Sequence, residues 1–519
     1  MNSTRDSAHL NVLPFAQNLA IDGPPVDISA AEIKVGRSPD SRAWIELRDL
    51  DPRALPPEGY AIRIRERDGV ARIVLAAADE AGERFGRVAL ADLSREDGAR
   101  SIPQLSLRDW PTLPIRGVIE GFYGTPWSDA DRLSFFEFAA RNRLNVYVYA
   151  PKDDPMHRER WRELYDAPGL ARLAELVRAA TASGVRFVYA IHPATSMRYG
   201  ENSDHAALVA RAEQLWSIGI RSFALLFDDV PYELDGEDAK NFGGPGAAHG
   251  DACARFVADF LDRHSGAEPL IMVPTDYAGN GRSEYRSQLV AQLPETVIVW
   301  WTGSDVVVAD VTRGDVEEAA AAFDRPLLLW DNYPVNDFDF SRLFLGPLQG
   351  RATDLAAAPL LGITANPMVQ ATASRFALAS MAEWAWNPVA YSAAGSARRA
   401  LAQLAGPALA TFVDVQSSWP PSAPQSERWQ RLLAEDSPEL IELCATLAAT
   451  PTPAGRLGEE LAPWLDASRL AASAILAVLD PTSDIDELRS HRDRVVAAAA
   501  NVIRQPVIAF VERAIAARG

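Results

Sequence analysis

Ser222-Phe-Ala-Leu-Leu-Phe-Asp-Asp-Val-Pro231 is a short apolar run that stops at two adjacent carboxylates, Asp228 and Asp229. Its brevity, its composition and its polar borders read as a buried strand. The pair then stands at the strand's carboxyl end, which in parallel open sheets and barrels is where loops converge on one pocket. An Asp-Asp pair is weak evidence by itself. Acidic side chains are mostly solvated, and Asp153-Asp154 is a second such pair in the same chain. The flanking sequence decides between a solvated turn and a site.

On both sides of this stretch, short apolar runs alternate with helical patterns. Strands are expected at 115–122, 144–149, 185–191, 222–227, 270–274, 297–301, 327–330 and 362–365, with helices such as 129–143, 169–183, 204–216 and 252–264 between them. Strict alternation implies a parallel sheet, and eight units over about 275 residues match the size of a (β/α)8 barrel. A doubly wound open sheet is the weaker alternative. The barrel predicts chemistry-bearing side chains just after each strand, and the sequence supplies them: Gly121, Tyr123 and Gly124; Lys152, Asp153 and Asp154; His192; Asp228 and Asp229; Thr275, Asp276 and Tyr277; Thr302; Asn332 and Asp337; Asn366. Loops are polar in any fold. The concentration of Tyr, Trp, Asn and Asp at several rims is what points to a pocket.

Two loops stand ready to cover that pocket. The stretch 230–250, with Gly243-Gly244-Pro245-Gly246, is long enough for a mobile flap, and equally for a tolerated surface insertion. The stretch 278–282 poses the same choice at shorter length.

The 519 residues exceed what one core usually supports. Residues 1–112 read as a supporting α/β domain. Trp44-Ile-Glu-Leu47 is a candidate strand; 61–67 and 70–75 form a hairpin across Asp68-Gly69 in a type I′ turn; and 79–93 is an amphipathic helix. Residues 113–395 form the barrel and 396–519 a helical domain. Helices are expected there at 397–404, 457–480, 484–500 and 507–517, with another starting at Ser437-Pro438-Glu439, where a cap, a first-turn proline and an acid coincide. Wide apolar faces in this part mean helix packing, internal or across a homodimer. A Pro/Ser-rich break at 417–426 carries Trp419, which either reaches the barrel rim or packs in the core.

The formal charge of −19 argues against a nucleic-acid or anionic-membrane partner. Cys253 and Cys444 alone make neither a disulfide framework nor a thiolate zinc site, and the seven histidines lack His-Glu-x-x-His spacing. The first nine residues lead into no signal-type apolar segment, and no uninterrupted apolar run of spanning length is found. The expectation is a cytoplasmic protein.

Several separated motifs in order carry a resemblance: Arg116-Gly-Val-Ile-Glu-Gly-Phe-Tyr-Gly-Thr-Pro-Trp127, Tyr149-Ala-Pro-Lys-Asp-Asp154, Leu226-Phe-Asp-Asp229, Trp330-Asp-Asn-Tyr333, Leu343-Phe-Leu-Gly-Pro-Leu348 and Ala365-Asn-Pro-Met368. Together they resemble glycoside hydrolase family 84, the O-GlcNAcases and related bacterial β-N-acetylglucosaminidases. The resemblance implies an exo-acting, retaining hydrolysis of terminal β-linked N-acetylglucosamine from a glycoside or glycoprotein, without metal or organic cofactor. In it the substrate's 2-acetamido oxygen attacks the anomeric carbon and forms an oxazoline, an exception to the usual pair of enzyme carboxylates.

Residue by residue, the resemblance makes Asp228 the acceptor of the acetamide N–H and Asp229 the general acid, then base. Tyr277 lies against the acetamide, and Trp330 walls its pocket. The Gly121 carbonyl, Lys152, Asp337 and Asn366 hold hydroxyls, and Asn332 serves the acetamide region. Tyr123 shapes the site. Mutual repulsion with partial desolvation is expected to raise the pKa of one of the two acids. The chain departs from the resemblance after the third barrel strand, with His192-Pro193-Ala194 in place of Ser-Pro-Gly, and across 230–250. Other readings of the same residues are a hexosaminidase for another N-acetylated sugar, a glycan-binding protein of this fold without turnover, and a scaffold that binds no sugar.

Overall fold

The computed structural model describes residues 16–94, 101–435 and 437–519; the first nine residues, read above for a signal segment, lie outside these. A five-stranded sheet comes first, built from β1 (Asn18–Asp27), β2 (Glu32–Gly36), β3 (Tyr60–Arg67), β4 (Val70–Ala77) and β5 (Ser101–Asp109) in the order β1-β5-β3-β4-β2. The β3–β4 hairpin turns at Asp68 and Gly69, both at positive φ (56° and 77°), as a type I′ turn requires. Helix Glu80–Leu93 covers one face, starting at an Asp79 cap that accepts from Gly82 N.

Trp44–Leu47, expected as a strand, belongs instead to the short helix Arg42–Glu46 and its cap. Ser41 caps it by accepting from Trp44 N, and Ala43, Trp44 and Leu47 pack together against Val74 and Ala76 on the sheet's other face. A spacing of three and four residues puts those three on one helical side, and that burial wins over the alternating pattern.

Eight parallel strands then close a barrel: β6 (Ile115–Glu120), β7 (Val146–Tyr149), β8 (Arg186–Ile191), β9 (Ser222–Leu226), β10 (Ile271–Val273), β11 (Ile298–Trp301), β12 (Leu327–Asp331) and β13 (Leu360–Ala365), with β13 pairing back onto β6. All eight expected strands are present, each within a few residues of its expected bounds. Ile119, Val148, Val188, Leu226, Val273, Trp300 and Leu328 fill the interior. A barrel so filled is a packed core, and its chemistry has to sit on the rim.

The glycines of 243–246 prove not to form a flap. Helix Pro245–Asp259 begins there, seven residues earlier than the expected start at 252. An added Cβ at Gly246 would lie 2.1 Å from Tyr285 O in the neighbouring helix Glu284–Gln292, so the glycine serves close helix packing. Upstream, Asp238 is buried and accepts from the main-chain N–H groups of Tyr199 and Gly200, which ties this stretch down.

The helices beyond residue 392 share one continuous core with the barrel's outer shell. Helix Pro438–Ala449 starts at the expected Ser437 cap. Helix Gly455–Leu479 is long and apolar enough to cross a membrane by length and composition, although charged residues such as Asp466 and Arg469 interrupt its apolar run. Its apolar window is 56% buried inside the fold, and Arg456 and Glu460 in its first turns bind barrel residues.

Candidate active site

The rim at the barrel's carboxyl end surrounds a cavity of about 550 Å³. Asp228 and Asp229 enter it directly after β9. Asp229 has φ 55°, a left-handed conformation that short polar residues tolerate. This turn lets two successive side chains, which would otherwise diverge, line the same cavity.

The surroundings of the two acids differ. Asp228 is 5% exposed and its Oδ2 is ion-paired with the Nζ of Lys152, itself 2% exposed. His192 Nε2 lies 2.9 Å from the Asp228 main-chain oxygen and 3.4 Å from Oδ1. Burial pushes the Asp228 carboxyl up, but the Lys152 ammonium and His192 outweigh it and hold the group well below the usual carboxylate range. Where repulsion was expected to raise one of the pair, Asp228 moves down, because a buried cation faces it. Asp229 is exposed and accepts two phenol hydrogen bonds, from Tyr123 (2.7 Å) and Tyr277 (3.0 Å). Burial first, then the Asp229 carboxylate, pushes both phenols up, so they remain O–H donors.

The opposite wall is a hydrogen-bonded frame. Trp330 Nε1 and Asn366 Nδ2 both donate to Asn332 Oδ1 (2.9 and 3.0 Å), and Asn332 Nδ2 donates to Val306 O (2.8 Å). Gly121 N donates to Asn366 Oδ1 at 3.3 Å. A Cβ on Gly121 would stand 2.6 Å from the Trp330 ring, so only glycine lets the chain run so close to that wall. Asp337 accepts from Tyr123 N (2.9 Å), and burial raises its carboxyl.

A model of the beta-N-acetylglucosaminidase family matches residues 116–415, more than half of the chain. The chain belongs to this family. The Protein O-GlcNAcases of Rattus norvegicus and Mus musculus are each 34% identical to it over 274 residues, which cover 52% of the chain and 29% of either relative's length. The chain thus spans less than a third of the curated relatives it matches. Among solved structures, a mutant of the Thermobaculum terrenum O-GlcNAc hydrolase superposes with a TM-score of 0.72 at 29% identity, covering 78% of this chain and 94% of the other. CpGH84B superposes over 97% of this chain and all of its own at a TM-score of 0.83; at 24% identity this speaks for the fold.

All ten residues that the resemblance to glycoside hydrolase family 84 singles out, from Gly121 to Asn366, line one cavity. Two sit differently from expectation. The Lys152 charge is committed to Asp228, and Tyr123 touches Asp229 as well as shaping the wall. Trp330 is both barrel packing, edge-on to Trp300 at 5.6 Å, and cavity wall. Other lining residues went unread. Asp305, Val306 and Val307 follow β11, and Pro420, Pro421 and Ser422 come from the Pro/Ser break. The only sequence signal for the latter was an aromatic residue inside that break. Trp419 itself packs between Tyr333 and Phe344, with centroids 4.7 and 5.0 Å away. His192, expected at the rim after the third strand and as a departure from the resemblance, contacts Asp228 from its buried side.

Proposed function

We propose that this member of the family is a retaining exo-β-N-acetylglucosaminidase that uses the substrate's own acetamide as nucleophile. The observation that carries the reading is the contrast between two adjacent acids in one cavity: one buried against an ammonium, the other held by two phenols. Asp228, kept anionic, accepts the acetamide N–H and so increases the charge on the acetamide oxygen, which attacks C1. Asp229 gives a proton to the departing oxygen, then takes one from the water that opens the oxazoline.

Tyr277 has two uses in this scheme. In the free protein its O–H helps hold Asp229. When sugar binds, it turns to the acetamide oxygen and leaves Asp229 free to face the departing oxygen. The frame of Gly121, Trp330, Asn332, Asp337 and Asn366 receives the pyranose ring and its hydroxyls. Terminal β-linked N-acetylglucosamine on a glycoside or glycoprotein is the substrate class. The barrel, 113–395, carries the chemistry, and the units on either side support it.

The test is nitrophenol release from nitrophenyl β-N-acetylglucosaminide beside the matching glucoside. Turnover of the first alone is expected, because the glucoside lacks the nucleophile. Silence on both, with an N-acetylglucosamine-derived thiazoline still bound, would replace hydrolysis by glycan binding.

A further inference from the structure

The carbonyl that His192 meets belongs to the peptide unit joining Asp228 to Asp229. A carbonyl oxygen only accepts, so Nε2 of His192 carries the hydrogen and donates to it at 2.9 Å. Rotation of that peptide unit moves the carboxyls of both acids relative to the cavity, since it is fixed by the backbone torsions on either side, one of them the left-handed φ of Asp229. The imidazole is enclosed. It is fully buried, its main-chain N donates to His157 O at 3.0 Å, and its ring stands edge-on to that of His157 with centroids 6.1 Å apart. His157 is fixed in turn through Nδ1 to Ala190 O at 2.8 Å. From the side of β10, Thr275 Oγ1 donates to the preceding carbonyl, Phe227 O, at 2.7 Å. The strand end is thus clamped at two successive carbonyls.

We infer that His192 is a positioning residue: its Nε2–H locks the peptide between Asp228 and Asp229 and sets the relative aim of the two carboxylates. The inference rests on the hydrolytic reading above. His192 stands where the resemblance leads to a serine, a side chain too short to span the same gap. In this chain one ring nitrogen thus holds the peptide that joins the two acids, and a small misplacement of them is costly, on the order of a hundredfold in rate for about 1 Å.

The experiment compares His192→Leu, which fills similar space without the donor, with His192→Gln, whose terminal amide N–H reaches about as far as Nε2. In the Leu variant kcat is expected to fall roughly 10- to 100-fold on both nitrophenyl and unactivated N-acetylglucosaminides. KM should change little, and thiazoline affinity should fall in step with kcat. The Gln variant should stay within roughly threefold of wild type on every measure. If the Leu variant does not fold, His192→Asn, whose amide is too short, takes its place. Wild-type kcat and thiazoline affinity in the donorless variant would overturn the assignment, as would a Gln variant as impaired as Leu. A wild-type protein that binds no thiazoline would instead overturn the hydrolytic reading, and this inference with it.

Discussion

Asp228 and Asp229 are one peptide bond apart, and the difference between them comes from what faces each. For Asp229, the proposed proton donor, Asp229→Asn should nearly abolish turnover of substrates with poor leaving groups while sparing activated aryl glycosides, whose departing oxygen needs little protonation. Rates on a leaving-group series check this, and an equal loss across the series would remove Asp229 from that role. For Asp228 the question is charge. Its folded pKa is depressed below the unfolded value of about 3.9, so its contribution to stability is present above that value and lost as pH falls through the folded one. Lys152→Met removes the strongest of the lowering influences and leaves burial opposed by His192 alone. The acid limb of the kcat/KM profile should then move to higher pH. The fold should also lose on the order of 3–5 kcal/mol at neutral pH, where a buried carboxylate remains unpaired. An acid limb that stays in place in a folded variant would mean that Lys152 does not set the charge of Asp228.

At the scale of elements, the sequence disclosed what local pattern controls. The eight barrel strands were legible because buried parallel strands read as short apolar runs, and the rim residues because they follow those runs directly. β1 was not legible: Gly23, Pro24 and Pro25 interrupt it, and it survives as an edge strand with two register irregularities against β5. The helix at 245 was hidden for a related reason, since glycines that suit a loop here suit a helix–helix contact. That contact has a measurable sign. In an exposed helix Gly→Ala stabilises by roughly 1 kcal/mol, but at Gly246 the new Cβ would meet a backbone carbonyl at 2.1 Å. Overpacking of this kind typically costs about 1–3 kcal/mol, so Gly246→Ala should lower Tm. The same helix carries His249, whose Nδ1 lies 2.7 Å from the Tyr285 hydroxyl, and that hydroxyl accepts from Thr275 N. Activity should therefore fall along with Tm, whereas a raised Tm would restore the flexible-loop reading of 243–246.

Over the whole molecule, contacts distant in sequence bring the helical part to the site, and no local pattern announces them. Helix Gly455–Leu479 fastens the barrel's rim loops: Glu460 accepts from Thr372 N and Ala373 N (both 2.9 Å), Trp464 Nε1 donates to Ser341 O (2.7 Å), and Arg456 pairs with Asp131. Closer to the cavity, Arg342 donates to Pro421 O (2.5 Å) and Ser418 O (3.3 Å), Trp419 Nε1 to Val308 O (3.4 Å), and Leu345 N to Gln416 O (2.9 Å). These bonds hold Pro420, Pro421 and Ser422 in the cavity wall. Arg342→Ala removes two of the bonds without touching either acid. If the segment works as a binding wall, KM should rise roughly three- to tenfold, the equivalent of about 1 kcal/mol of lost binding, with kcat nearly unchanged. If the helical part only caps the barrel core, the same variant should lose Tm and keep its KM. Steady-state kinetics beside a melting curve separate the two, and an unchanged KM would confine the site to the barrel.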